Sequence, residues 1–342
     1  MKVSALIEEC YTESFGKGFL SLSPLPVSGS DRQYFRLITA SGTVIGAYNP
    51  VREENDAFVG FTMHFLRAGL PVPEIIRYIP EKYIYFISDL GDNNLFTWLK
   101  RKPLISGFDI ETLSLYRKIL DKLVLFQTKG INGLNLDLCY PHKSFDRQSM
   151  MWDMNYFKYM LLKLLAVPFN EQKLEKDFIS LADYLLAAGQ DYFLYRDFQT
   201  ANIMIVDGEP WFIDYQGGRR GAPQYDVASL LYDAKISMLQ SVRDDLLDYY
   251  IRNFCAASGE DSGKFSGYYS GFSLIRIMQA LGAFGFRGLY EHKPTFTESI
   301  VPGVNLIIQI AESAKDHIEL PELFRTIILI PDSRLFKKLT EA

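Results

Sequence analysis

Three polar side chains suited to phosphoryl transfer lie close together in this sequence. Asp197 and Asn202 form an Arg-Asp-x-x-x-x-Asn pattern, and Asp214 follows a little further along the chain. Phosphoryl transfer needs a carboxylate to accept the proton of the attacking hydroxyl, and it needs oxygen ligands for the Mg²⁺ that bridges the phosphates. We therefore predict that Asp197 is the catalytic base and that Asn202 and Asp214 are metal ligands.

The residues between the two metal ligands predict a β-hairpin. Apolar runs at 202–206 and 211–213 flank a turn that contains Asp-Gly, which is a strong hairpin signal. A hairpin brings its first and last residues together, so Asn202 and Asp214 would face one cleft. An N-cap Asp beside a hairpin without chemistry is the alternative, which the second Asp at the far end disfavours.

The composition is that of a globular protein. The chain has 342 residues, of which 48% are hydrophobic, so it is long enough for two lobes that each have a core. Its net charge of -5 argues against general binding to nucleic acid or to an anionic membrane. Three cysteines without disulfide or zinc spacing, and acidic residues at Glu8 and Glu9, predict a cytoplasmic protein without a signal peptide. The oligomeric state stays open.

Hydrophobic periodicity divides the chain near residue 90. Before this point we predict a helix over residues 1–20, an antiparallel β-sheet and one further helix over 53–68, and after it helices dominate. The prediction is an α+β, bilobal protein, with a nucleotide-binding lobe over 1–90 and a catalytic and substrate-binding lobe over 91–342. Asp89 and Leu90 would form the hinge and contact the nucleotide, because nucleotides often bind where two lobes meet.

A loop of small residues precedes the second predicted strand. Ser28, Gly29 and Ser30 would let backbone N–H groups approach a phosphate closely, so we predict that this loop covers the nucleotide phosphates. A simple hairpin turn is the alternative reading of the same residues.

The sheet lacks the lysine that protein kinases place on their third strand, since no lysine occurs between Lys17 and Lys82. The candidate replacements are Arg32, Arg36 and Arg52. We favour Arg32, which belongs to the predicted phosphate loop and is therefore expected to be exposed. Glu54 occupies the usual region of an ion-pair partner, although an acid in the first turn of a helix also stabilises that helix without any other role.

Candidate acceptor contacts come from two places. Trp152 and Asp153 pair an aromatic face with a carboxylate, which suits a sugar, but a core Trp beside a solvated Asp is an equally good interpretation. Gln199, inside the catalytic pattern, is the third candidate. Asp226 begins an apolar helix, and we expect it to cap that helix or to hold the catalytic loop by hydrogen bonds to its backbone.

With these motifs the chain resembles the aminoglycoside phosphotransferase-like family, and within it the bacterial anomeric kinases of N-acetylmuramate and N-acetylglucosamine used in cell-wall recycling. The catalytic pattern is specific for the superfamily, and Ile-Asp-Tyr-Gln at 213–216 is more specific for the sugar-kinase branch. The segments that carry the resemblance are 29–36, 68–74, 88–92, 195–202, 212–221, 224–233 and 279–285.

The resemblance implies a protein-kinase-like fold and an ATP- and Mg²⁺-dependent phosphotransferase. Its acceptor would be a small molecule, most specifically the anomeric hydroxyl of an amino sugar. The sugar-kinase branch also lacks the third-strand lysine. Gln199 and Tyr195 stand where His is common among relatives, and these departures weaken the substrate assignment.

Two alternatives stay open. One is a kinase for an aminoglycoside, a choline-like alcohol or another metabolite, and a cationic acceptor would require clustered carboxylates in the large lobe. The other is a catalytically inactive nucleotide-binding scaffold, which the missing lysine suggests. The joint presence of Asp197, Asn202 and Asp214 argues against the scaffold, because a protein that only binds a nucleotide does not need all three.

Overall fold

The N-terminal part is built on a five-stranded antiparallel sheet in the order β1-β2-β3-β5-β4. The computed structural model describes residues 2–16, 18–26, 32–102 and 108–341. The predicted phosphate-loop residues Ser28, Gly29 and Ser30 therefore lie outside the described residues. The strands are β1 (Ser21–Pro24), β2 (Gln33–Thr39), β3 (Gly42–Tyr48), β4 (Ile75–Ile79) and β5 (Ile84–Ser88).

Two helices cover the two faces of this sheet. Helix α1 (Val3–Phe15) packs on the side of Phe86, and α2 (Arg52–Arg67) packs on the side of its neighbour Tyr85, as the alternation of side chains along a strand requires. Helix α1 is shorter than the predicted 1–20 helix. It ends at Gly16, whose φ of 60° is the left-handed conformation that glycine adopts most readily.

The C-terminal part is mostly helical, and α9 is its centre because it packs against α5, α7 and α11. Among the described residues, no helix combines the length and the apolar character needed to cross a bilayer. The helices are α3 (Leu95–Lys100), α4 (Ile110–Thr128), α5 (Arg147–Phe157), α6 (Glu171–Leu186), α7 (Gln224–Leu231), α8 (Gln240–Ser258), α9 (Ser262–Phe284), α10 (Pro294–Thr297), α11 (Ile300–Ala314), α12 (Pro321–Leu329) and α13 (Arg334–Thr340).

Two short strand pairs carry the candidate site. The predicted hairpin is present, and Asp207 and Gly208 at its tip both have positive φ, as a type I′ turn requires. A second antiparallel pair, which the sequence did not predict, joins the chain before Asp197 to the chain after Asp214. The strands are β6 (Tyr192–Leu194), β7 (Ile203–Val206), β8 (Glu209–Phe212) and β9 (Arg219–Gly221).

The sheet region and the helical region share their largest core. Tyr215 of the helical region stacks on Phe58 of α2, with ring centroids 5.2 Å apart and planes 7° from parallel. The Tyr215 hydroxyl lies 2.5 Å from the Thr62 hydroxyl, and Phe65 packs edge-on against Phe193 and Tyr215. The expectation that each lobe has a core of its own is therefore met only in part, because the faces of the two lobes are buried against each other. The α+β, two-part architecture itself is confirmed.

Candidate active site

The hairpin brings together the three residues singled out by their spacing. The side-chain amide of Asn202 donates to the backbone carbonyl of Asp197 at 2.9 Å and to Asp214 Oδ2 at 3.0 Å. Asn202 stands directly before β7 and Asp214 directly after Ile213, whose N–H donates to the Asn202 carbonyl. One amide thus ties the loop that carries Asp197 to the end of the hairpin.

The carboxylate of Asp214 is held on both of its oxygens. Gln216 Nε2 donates to Oδ1 at 2.7 Å, on the side opposite the Asn202 contact, and Arg32 Nη1 lies 3.8 Å from the same oxygen. Burial, and then repulsion from the nearby Asp197 carboxylate, raise the pKa of Asp214, while Arg32, Gln216 and Asn202 oppose the shift. We did not single out Gln216 from the sequence, although the Ile-Asp-Tyr-Gln motif contained the signal.

The donor set at this point fits Mg²⁺. The side-chain NH₂ group of Asn202 donates its hydrogen bonds to Asp197 and Asp214, so the side-chain carbonyl oxygen is left to bind a cation. A carboxylate and an amide oxygen are hard ligands, and Mg²⁺ in phosphate-transferring sites is held by one or two protein groups while phosphates and water complete its octahedron. Asn202 and Asp214 would be those protein groups.

Asp226 fixes the backbone of the catalytic loop. Its side chain is fully buried at the start of α7, and it accepts the backbone N–H of Tyr195 at 2.7 Å and that of Arg196 at 2.9 Å. Arg196 has a φ of 83°, which is an unfavourable backbone conformation for a residue with a side chain. The two hydrogen bonds hold the chain in that conformation just before Asp197, and they agree with the second of the two roles expected for Asp226.

Asp153 does not stand free in the acceptor region. Its two oxygens bind the Arg196 guanidinium at 2.6 and 2.5 Å, and the side chain of Asp153 is 8% exposed. The interpretation of Asp153 as a solvated carboxylate is wrong, and its geometry is that of a positioning residue for the catalytic loop. Trp152 is 47% exposed and packs edge-on against His142, so it is not a core residue.

Arg32 is buried, contrary to the expectation of an exposed loop residue. Only 3% of it is accessible, and its Nη2 donates to Glu54 Oε2 at 3.0 Å. The amide of Asn49 donates to the same oxygen at 2.8 Å. Glu54, from the first turn of α2, therefore has a direct partner beyond any effect of the helix dipole. In this pair, Arg32 Nη1 lies 3.8 Å from Asp214 Oδ1, next to the space where nucleotide phosphates would have to lie.

The other two candidate cations are engaged elsewhere. Arg36 Nε donates to Asp89 Oδ2 at 2.6 Å, and the same guanidinium reaches Asp92. Arg52 is half exposed and faces Asp56 one turn along α2. Because Arg36 occupies the carboxylate of Asp89, a nucleotide at the predicted hinge would use the main-chain groups of Asp89 and Leu90.

Gln199 lies in the turn between the two ends of the catalytic pattern. Its backbone N–H donates to the Asp197 carbonyl at 2.9 Å, and its own carbonyl accepts the Asn202 N–H at 2.9 Å. The turn is fixed at its far end by Asp233, which accepts both the N–H and the hydroxyl of Thr200. The half-buried Gln199 side chain stays a candidate contact of the acceptor.

This fold and this arrangement of Asp197, Asn202 and Asp214 define a protein-kinase-like phosphotransferase. The sequence profile of the phosphotransferase enzyme family matches residues 21–265, and the chain belongs to that family. It is a small-molecule kinase.

Among curated proteins, the chain is similar to the N-acetylmuramate/N-acetylglucosamine kinase of Neisseria meningitidis serogroup B. The two are 22% identical over 311 residues, which cover 89% of each. The protein of the same name from Pseudomonas aeruginosa is 26% identical over 247 residues, covering 69% of this chain and 68% of that protein.

Among solved structures, a putative aminoglycoside phosphotransferase from Ralstonia eutropha superposes with a TM-score of 0.62 at 15% identity, over 92% of this chain and 99% of the other. A choline kinase from Streptococcus pneumoniae gives 0.61 at 13% identity, over 92% and 100%. These structures establish the fold.

The buried carboxylate of Asp226 gives a test by pH. Burial raises its pKa to about 7, whereas an unfolded Asp titrates near ~3.9. Since the folded pKa is the higher one, the stability from this group is full below about pH 4 and falls by up to ~1.4 kcal/mol per pH unit as the pH rises towards 7. Asp226→Asn cannot titrate, and it offers one acceptor oxygen to two N–H groups. We expect its stability deficit against the wild type to be largest at low pH and to shrink towards neutral pH.

Urea unfolding of both proteins at several pH values between the two pKa values measures this deficit. The matched control is Asp191→Asn, because the Asp191 side chain is 93% exposed. A deficit that stays constant across the range would contradict the prediction.

Proposed function

We propose that this protein transfers the γ-phosphoryl group of ATP, with Mg²⁺, to the anomeric hydroxyl of an N-acetylated amino sugar. The observation that carries the proposal is the hydrogen-bonded unit of Asp197, Asn202 and Asp214. The substrate class is supported by the names of the curated relatives, N-acetylmuramate/N-acetylglucosamine kinase. A role in recycling cell-wall sugars in the cytoplasm would accompany this activity.

Asp197 is the proposed acceptor of the proton that leaves the attacking hydroxyl. As the anomeric oxygen forms its bond to phosphorus and the bond to the ADP oxygen breaks, the hydroxyl proton passes to the Asp197 carboxylate. Gly217 lies beside this carboxylate, because a Cβ placed on it would be 3.9 Å from Asp197 Oδ2. An anomeric hydroxyl is more acidic than an ordinary sugar hydroxyl, which makes a carboxylate an adequate base.

The remaining roles concern position and charge. Bound Mg²⁺ would neutralise charge on the phosphates, and Asn202 and Asp214 would hold it. Arg32 would contact the phosphates from the sheet side, kept in place by Glu54. Trp152 and Gln199 stay candidate contacts of the sugar.

The charges of the helical region do not favour a cationic acceptor such as an aminoglycoside or a choline-like alcohol. The carboxylate of Asp153, beside the catalytic loop, is already neutralised by Arg196. Two further buried guanidinium groups, those of Arg219 and Arg276, lie close by. The inactive scaffold is disfavoured as well, because Asn202 and Gln216 orient Asp214 as a metal ligand would need to be oriented.

Asp197→Asn is expected to retain the fold and nucleotide binding but to lower kcat by about 100-fold or more, as loss of a positioned proton acceptor does. Steady-state kinetics and calorimetric titration with ATP and Mg²⁺ measure the two properties separately. A variant with the normal kcat would remove Asp197 from the role of base.

Arg32→Ala is expected to raise KM for ATP by about tenfold or more, since charge-assisted contacts are the strong ones. It is also expected to lower the thermal midpoint, because Arg32 is buried against Glu54. The matched control is Arg52→Ala, on the exposed side of α2, the helix that carries Glu54, and it should change neither property. An unchanged KM for Arg32→Ala together with a raised KM for Arg36→Ala would move the phosphate contact to Arg36.

The position of the new phosphate tests the substrate assignment. We expect incubation with ATP, Mg²⁺ and N-acetylglucosamine or N-acetylmuramate to give a sugar 1-phosphate, located by phosphorus–proton NMR. Phosphate on the 6-hydroxyl, or turnover with cationic aminoglycosides alone, would refute the anomeric assignment and leave the phosphotransferase family unchanged.

A further inference from the structure

Two buried arginines near the catalytic loop form no ion pair among the described residues. Arg219 and Arg276 are each 7% exposed, and no carboxylate of the described residues lies within 4.0 Å of either guanidinium. Two carboxylates act on them from beyond that distance, Asp226 on Arg276 and Asp153 on Arg219. Arg196, the residue before Asp197, is neutralised by Asp153. Buried arginines are normally paired directly, because an uncompensated buried charge is costly.

Each of these two arginines keeps one nitrogen without a protein acceptor. Arg276 donates from Nε to Ser229 at 2.8 Å and from Nη1 to Gln279 at 2.9 Å, which leaves Nη2. Arg219 donates from Nε and Nη2 to the Gly217 carbonyl and from Nη2 to that of Tyr140, which leaves Nη1. Neither of these two nitrogens is among the fully buried, unpaired polar atoms of the described residues, so each retains contact with solvent.

Tyr225 links these cations to the catalytic carboxylate. It is completely buried, and its hydroxyl has no hydrogen-bond partner among the described residues. The Arg196 guanidinium lies 5.1 Å and the Arg276 guanidinium 6.0 Å from the centre of its ring. The charges of Asp197 and Arg219 also act on Tyr225. The unpaired cations therefore belong to the surroundings of Asp197.

A third buried arginine shows what a purely structural one looks like in this protein. Arg243 is 3% exposed and also forms no ion pair with any described residue, but its three nitrogens donate to the Leu231 carbonyl, to Gln240 and to the Met238 carbonyl. Arg219 and Arg276 do not reach this state. Burial and then the neighbouring charge of Arg196 lower the pKa of Arg219, and Asp153 opposes this shift only in part.

We propose that Arg276, assisted by Arg219, binds a carboxylate substituent of the acceptor, so that the enzyme selects an acidic amino sugar over its neutral counterpart. The inference rests on the proposed function and names the charge of its substrate. A guanidinium with an unused N–H matches a carboxylate oxygen in charge and geometry. In the proposed function the nucleotide phosphates lie elsewhere, beside Arg32 on the sheet side and next to the Mg²⁺ that Asp214 would hold.

The test compares two acceptors that differ in this charge. N-acetylmuramate carries a carboxylate, and its methyl ester keeps the shape without the charge. We expect the wild type to prefer the acid, in kcat/KM, by about 10- to 100-fold, the range for a hydrogen bond to a charged group. Arg276→Gln should reduce this preference to a few-fold, mainly through KM for the acid. Arg276→Lys should restore part of it, because the positive charge returns.

The preference is a ratio measured on one enzyme sample, so partial misfolding of a variant does not affect it. Arg243→Gln is the matched control, because it removes a buried arginine from α8 and should leave the ratio unchanged. A wild type without a preference for the acid overturns the inference. An Arg276→Gln variant that loses activity equally on acid and ester also overturns it, since the cation would then serve the phosphoryl group or the fold.

Failure of the inference can be separated from failure of the proposed function. If both sugars are phosphorylated at equal rates, the function stands and the carboxylate site does not. If neither sugar is phosphorylated, calorimetry with the acid and the ester in the presence of ADP and Mg²⁺ decides. If the acid binds more tightly than the ester and this difference depends on Arg276, the carboxylate site is supported even though the proposed phosphorylation of these sugars is refuted. Equal binding of the acid and the ester overturns the carboxylate site.

Discussion

The hydrogen bonds from Tyr195 and Arg196 to the buried carboxylate of Asp226 are the constraint on which the site depends. They hold Arg196 in a backbone conformation that a chain does not adopt unaided, and the direction of the next side chain, Asp197, follows from it. Placing a carboxylate in a fully buried position is costly, and its raised pKa measures that cost. The two N–H groups offset part of the cost, since they would otherwise be buried without acceptors.

Charge is distributed unequally around the cleft. On the sheet side, Arg32 lies between Glu54 and Asp214, so two carboxylates meet one cation. On the helical side, Arg196, Arg219 and Arg276 lie around Tyr225, and among the described residues only Arg196 of these three forms an ion pair. Asp197 is close to both environments, since its charge acts on Asp214 and on Tyr225.

The sequence predicted those features that depend on neighbours along the chain. The hairpin follows from its Asp-Gly turn, and the meeting of Asn202 with Asp214 follows from the hairpin. The features it could not predict depend on contacts between distant segments. Asp153 reaches Arg196 across 43 residues, and Arg32 is buried because α2 supplies Glu54. Strands β6 and β9 have three residues each, which is too short for any alternation of side chains to be recognised.

The stacking of Tyr215 on Phe58 means that the sheet region and the helical region are not separable folding units. In a modular kinase, the sheet region would be a separable cassette that could be exchanged between relatives. Here Phe58 and Phe65 of α2 pack against aromatic rings of the helical region. The Phe212 N–H donates to the Pro71 carbonyl across the same junction. A fragment cut between the two regions would expose these rings on both pieces. The sheet region and the helical region are therefore expected to have changed together, since neither could be replaced without refitting the other.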